Sequence, residues 1–209
     1  MKNTFVFLIG ILGVLLFVGS AIWGGILIDG YDPLSQLISE SYATDTEYGE
    51  SLRFYGYIPS GLLLAMFCFA GRSVFPRSRV TTLGFIGLGI FYGFATVVVS
   101  LYPCDSGCLF TKEPSLSQFI HNLVGFVTYA TVPLCIFMVG RGLRQFETHK
   151  RFANQSIQLG LLSVVLVLLF FGLADSEYAG LSQRAVELSF IGWVILCAFT
   201  ILRTKSNPL

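Results

Sequence analysis

Residues 5–28 read FVFLIGILGVLLFVGSAIWGGILI, a run with no charged side chain. A membrane-spanning helix needs about 20 mostly apolar residues, so this stretch alone predicts one. Five more runs meet the same standard: 54–71, 81–101, 120–140, 153–174 and 185–202. Lys2, the apolar run and the small residues Gly19, Ser20 and Ala21 also resemble a cleavable leader, but a run reaching Ile28 is long for one. It is therefore read as a retained span.

The composition agrees. Of 209 residues, 54% are hydrophobic and 12% charged, and the mean hydropathy is +0.74. Soluble domains carry roughly 25% charge, so too little polar surface remains to coat a globule. A soluble enzyme is excluded, and the net charge of +1 excludes a basic nucleic-acid binder. The expected fold is an all-α, six-transmembrane-helix bundle forming a single integral membrane domain over residues 1–209. Its backbone polar groups are satisfied inside helices, as hydrocarbon requires.

Cations set the expected orientation. Lys2, Arg72, Arg77, Arg79, Arg141, Arg144, Lys150, Arg151, Arg203 and Lys205 fall on one side. Only Arg53, Lys112 and Arg184 fall on the other. The positive-inside rule then puts both termini in the cytoplasm. Short loops and compact size suit a bacterial inner membrane or an archaeal membrane. Tyr31, Tyr42, Tyr48, Tyr55, Tyr57, Tyr102 and Tyr178 gather at the outer boundary, as an interfacial belt does. Gly89 and Gly93 form a GxxxG, and Gly56 and Ser60 a similar pair, read as close packing within the bundle.

The outer loops hold the chemistry. Cys68, Cys135 and Cys197 lie inside spans and are read as small apolar fillers. Cys104 and Cys108 lie in an outer loop, where a disulfide is the natural pairing; a redox-active CxxxC is the sharper alternative. Loop 1 runs from Asp29 to Arg53. Within it Leu34, Leu37 and Ile38 are spaced for a short amphipathic helix, with Asp32 as cap and Pro33 in the first turn. Such a helix would lie in the outer interface as a lid over the bundle mouth.

Ionisable groups near a membrane are functional candidates by default. Asp105, His121, Asp175, Arg184 and Glu187 map to the outer boundary together with Ser39 and Glu40. Glu187, three residues after Arg184, falls just inside the sixth span. Two readings compete. Helix caps and ion pairs explain such residues individually. A shared site explains them together, with Glu40, Asp105, His121, Asp175, Arg184 and Glu187 contacting the polar head of a membrane lipid or other amphiphile. An enzymatic variant makes the protein a lipid hydrolase or transferase, with His121 as base, Asp105 or Glu187 orienting it, and Ser39 or water as nucleophile.

Other chemistries are excluded. His121 and His149 are the two histidines, on opposite sides, which excludes bis-histidine haem and a three-histidine zinc site. No P-loop, nucleophile elbow or HExxH is present. No metal and no cofactor is expected. Apolar span centres disfavour a small transporter, the third reading.

The loop-1 stretch ending Leu37-Ile38-Ser39-Glu40 and the stretch Tyr102-Pro103-Cys104-Asp105-Ser106-Gly107-Cys108 carry a family resemblance. So do His121 and Gly180-Leu181-Ser182-Gln183-Arg184. Together they resemble small prokaryotic membrane proteins catalogued as domain of unknown function 998. The resemblance covers nearly the whole chain. It implies six spans, cytoplasmic termini and outer-face residues that act as a unit. It implies no activity.

Overall fold

In the computed structural model, residues 2–108 and 113–204 are described. Lys112 and Lys205, both used in the orientation argument, lie outside them, as does the side chain of Lys2. Six helices are long and apolar enough to cross a membrane: α1 (Asn3–Leu27), α2 (Gly49–Gly71), α3 (Arg79–Leu101), α4 (Leu116–Leu143), α5 (Glu147–Gly172) and α6 (Ala179–Arg203). No strand occurs among the described residues. All six expected spans are present, and the chain is an integral membrane protein.

Several helices run past the apolar core of their span. α2 starts at Gly49 and α6 at Ala179, five and six residues before the hydropathy boundaries. Polar residues such as Gln183 and Arg184 lower hydropathy without breaking a helix. The outward faces are apolar: Leu8, Leu12 and Leu15 of α1 and Leu161, Val165 and Leu168 of α5 are exposed. Such a surface belongs in hydrocarbon rather than water.

Consecutive helices are neighbours, and α6 returns to α1, which closes a ring of six. Asn3 Nδ2 donates to the carbonyls of Ile201 (3.1 Å) and Thr204 (2.8 Å), tying the first turn of α1 to the last of α6. The two ends of the bundle are thus the termini end and the loop-1 end. Small residues bring the backbones together. A β-carbon on Gly84 of α3 would stand 2.8 Å from the Cys135 carbonyl oxygen of α4. Gly93 of the GxxxG lies equally close to the backbone of Ala65 in α2. Cys68, Cys135 and Cys197 are buried in the core, as expected of fillers.

The axis of the termini half is filled, while a recess of about 550 Å³ lies between α5 and α6 at its edge. Trp193, Phe85, Leu143 and Ile201 are fully buried there. Phe75 stacks on Phe85 and Phe152 at 5.5 and 5.4 Å. The Trp193 Nε1–H donates to Ser156 Oγ at 2.9 Å, satisfying the one polar atom of that ring.

Two helices change register near the other end. Arg53–Tyr57 in α2 and Gly89–Phe94 in α3 are π-helical turns, with Ile58 N–H reaching the Arg53 carbonyl and Ala95 N–H the Ile90 carbonyl. Pro59, which has no N–H, directly follows the first of these. Each turn takes in one residue more than an α-turn, a feature found often beside functional sites.

Loop 1 covers the bundle mouth, but its helical turn is not where Leu34, Leu37 and Ile38 predict it. Gln36 N–H donates to the Asp32 carbonyl at 2.8 Å to close a turn, and a 3₁₀ segment follows at Ile38–Tyr42. The reason lies in competition for carbonyls. Gly180 and Leu181 N–H donate to the carbonyls of Ser35 and Leu34, and Arg184 donates to those of Pro33 and Gln36. Those acceptors serve α6 and are lost to a helix within the loop.

Candidate functional site

The loop-1 half of the bundle is hollow. A cavity of about 230 Å³ lies beneath the Ile38–Tyr42 turn, walled by all six helices. Its wall is a chain of aromatic contacts. His121 (α4) meets Tyr42 of the roof at 6.2 Å between ring centres, Tyr42 meets Tyr57 (α2) at 4.6 Å, and Tyr57 meets Phe17 (α1) at 5.4 Å. Phe17 lies 6.5 Å from Tyr92 (α3). On the far side Tyr129 (α4) packs on Phe170 (α5) at 5.3 Å.

Glu187 supplies the carboxylate. It lies eight residues after Ala179 and is 8% exposed. At about 1.5 Å per residue that is roughly 12 Å below the start of α6, well inside the helix rather than at its rim. The Tyr129 hydroxyl donates to Oε1 at 2.9 Å and the Tyr92 hydroxyl to Oε2 at 3.2 Å. The spacing from Arg184 suggests an ion pair, but Arg184 is committed elsewhere. Its guanidinium donates to the carbonyls of Pro33, Gln36 and Gly180 and to the Tyr31 hydroxyl, all within 3.0 Å. The ion pair found among the described residues joins Lys150 to Glu147 at the other end.

His121 is turned toward backbone. Its Nδ1 lies 3.1 Å from the Val99 carbonyl oxygen and 3.0 Å from that of Tyr102. Both partners only accept, so Nδ1 carries a proton, and in the neutral ring Nε2 is the acceptor nitrogen. The ring thereby satisfies carbonyls that the end of α3 leaves open. No carboxylate is among its hydrogen-bond partners, so the orienting role expected of Asp105 or Glu187 has no contact behind it.

Asp105 instead holds its own loop. Its carboxylate accepts the Ser115 hydroxyl at 2.6 Å and the Ser115 N–H at 3.1 Å, while its N–H donates to Gln118 Oε1 at 2.7 Å. Ser115 in turn caps α4 by accepting Gln118 N–H. Cys104 and Cys108 are paired at disulfide distance, with Cα atoms 5.0 Å apart, and the Ser39 hydroxyl lies 3.4 Å from Cys108 Sγ. Loop 1 and loop 2, the connection between α3 and α4, are joined further by Thr44 N–H to the Cys104 carbonyl and by the Ser106 hydroxyl to Asp45.

The expected residues therefore separate. Ser39, His121 and Glu187 share the cavity. Arg184 and Glu40 fix its roof, Glu40 by accepting Leu37 N–H at 2.7 Å and Gln36 Nε2 at 3.1 Å. Arg184 also belongs to the edge of a second recess. Asp105 braces loop 2, and Asp175 is exposed in the turn after α5, apart from the cavity.

Tyr92 and Tyr129 were not singled out by the sequence, since nothing in one dimension ties them to Glu187. Tyr42 and Tyr57 correct the belt reading. They are buried cavity wall, while Tyr48, Tyr55, Tyr102 and Tyr178 are exposed as a belt requires. Burial pushes the Tyr42 phenol up from its ordinary value. The Tyr57 hydroxyl is buried and has no hydrogen-bond partner among the described residues.

The second recess, about 470 Å³, runs between α1 and α6. It shares Phe17, Ile38 and Glu187 with the first and is otherwise mostly apolar. Ile22, Ile26 and Leu188 on its walls are exposed on the lipid-facing side. Among the described residues no three metal-ligating side chains come together.

No curated protein and no solved structure matches the chain. A family model does, over residues 11–200, nearly the whole length that contains the ring of helices, the roof and the cavity. The chain belongs to the family described as Protein of unknown function (DUF998).

Proposed function

We infer that the protein binds a lipid or other amphiphile in the cavity beneath loop 1. The single observation that carries this reading is a buried carboxylate and its two tyrosines in the wall of a cavity that is otherwise mostly apolar. Ligand sites have that make-up: hydrophobic and aromatic walls with a few placed polar groups. The α1/α6 recess adds a route to the membrane. An acyl chain lies along Ile22, Ile26 and Leu188, and the polar end turns inward at Glu187. The distribution of Arg and Lys assigns the loop-1 end to the outer face, so the amphiphile enters from the outer leaflet.

The hydrolase reading ranks second. Ser39 and His121 do line one cavity. The nucleophile–base and base–carboxylate contacts that such chemistry needs are absent from the hydrogen bonds described above.

Gly125 gives a clean test. It lines the cavity, and a β-carbon built on it meets no atom within 4 Å. A Gly125→Trp variant adds bulk at this cavity-lining position, and its β-carbon meets no neighbour within 4 Å. Native mass spectrometry of the protein in mild detergent is expected to show a retained lipid in the wild type and its loss in the variant, with both melting alike. Equal retention in both, or none in either, rejects the reading.

A further inference from the structure

We propose that the amphiphile's polar end is a cation, an ammonium group seated on Glu187 within the aromatic wall. This rests on the binding reading above and names the chemistry of the ligand.

A carboxylate in apolar surroundings must take up a proton or meet a cation, because an isolated buried charge is too costly. Among the described residues no cation meets Glu187: it has no ion pair, and neither Lys nor Arg lines the 230 Å³ cavity. Arg184, one turn away, is used up on carbonyls and Tyr31. A proton alone explains neither the open volume beside the carboxylate nor the rings around it. An ammonium group explains both. Ring faces carry negative charge density and attract cations, more strongly where water is excluded, and cages of aromatic rings are the usual receptors for alkylated ammonium. Tyr42, Tyr57, Tyr92, Tyr129 and Phe17 provide such rings from five separate segments of the chain. The tyrosine hydroxyls on Glu187 leave carboxylate lone pairs free, since each oxygen accepts one bond. An anionic head group finds the opposite: a like charge and, among the described residues, no basic side chain in the cavity wall.

A lipid and a free organic cation can each bear an ammonium group, and the experiment separates these two sources. Full-length protein in a sterol-glycoside detergent is incubated with tritiated dodecyltrimethylammonium. Unlabelled dodecyltrimethylammonium, dodecyl sulfate, dodecyl glucoside and tetramethylammonium compete. The ammonium amphiphile is expected to compete at least about tenfold better than the sulfate or the glucoside. Glu187→Gln is expected to erase that advantage while glucoside binding persists. Tyr42→Leu is expected to weaken the ammonium several-fold and Tyr42→Phe to preserve it, a pair that keeps the test alive if Glu187→Gln does not fold. Competition by tetramethylammonium at similar concentration identifies a free cation as the ligand. Competition only by the chain-bearing form identifies a lipid head group. Equal competition by all three amphiphiles, with Glu187→Gln indifferent, overturns the cation and leaves amphiphile binding standing. No binding of any amphiphile overturns both.

Discussion

The two halves of this bundle are built from the same six helices, yet along the axis one is solid and the other hollow. At the termini end glycines let backbones touch, and Trp193, Phe85 and Ile201 fill the axis. At the loop-1 end the helices carry tyrosines that lean on one another around a space, and Gly125 faces that space with nothing opposite. The difference lies in what each half does with its polar atoms. The solid half pairs Trp193 Nε1 with Ser156 and leaves Thr81 Oγ1 buried without a hydrogen-bond partner among the described residues. The hollow half gathers Glu187, two tyrosine hydroxyls and His121 around a volume that the chain itself leaves open.

That division is open to attack at four points. Trp193→Ala should do the most damage, about 3–5 kcal/mol from lost contacts and a residual void. Thermal unfolding in detergent measures it, and a loss below about 1 kcal/mol would mean the termini half is not the solid one. Arg184→Ala comes next. It removes the guanidinium that holds three carbonyls and Tyr31, at about 2 kcal/mol by the usual worth of charged hydrogen bonds. Hydrogen exchange should speed up across residues 34–42 and stay unchanged around Trp193; uniform change along the chain would contradict a separately anchored roof.

Gly125→Ala should do the reverse. An alanine within a helix is favoured by about 0.5–1 kcal/mol over glycine, and here it meets open space. A lower melting temperature would show that the position is not open. The smallest effect belongs to Asp32. The Ser35 hydroxyl and the Leu34 N–H donate to its carboxylate and hold it below the usual carboxylate value. Its support for the loop-1 turn is therefore complete above the unfolded value of 3.8 and fades as pH falls through the lower, folded one. Exchange rates of the Leu34 and Gln36 amides, corrected for intrinsic pH dependence, should show the turn loosening only in acid, and an Asp32→Asn variant should lack the transition.

The sequence reveals the solid half better than the hollow one. Spans follow from hydropathy because hydrocarbon admits few backbone solutions, and the filler cysteines follow from their place in those spans. The pairing of Cys104 with Cys108 follows from local spacing, while the spacing of Leu34, Leu37 and Ile38 misplaces the helical turn of loop 1. The cavity does not, for three reasons. Tyr42 and Tyr57 sit at boundary depth, and composition cannot distinguish a ring facing lipid from one facing the axis. Glu187 reads as peripheral because Gln183 and Arg184 depress hydropathy before it, although the helix has already run two turns. Tyr92 and Tyr129 meet Glu187 only after the ring of helices closes.

The π-turns at Arg53–Tyr57 and Gly89–Phe94 bear on how this chain compares with its kin. Each behaves as a one-residue insertion in a membrane helix, after which every later side chain is rotated by about a quarter turn or more, since an α-helix has 3.6 residues per turn. Tyr57 and Tyr92 lie within these turns, so their aim into the axis depends on that extra residue. A relative lacking it would align with a single gap in the middle of a hydrophobic stretch, where gaps are usually dismissed as noise. In this family such a gap would mark a cavity rebuilt or lost while the number of spans stayed the same.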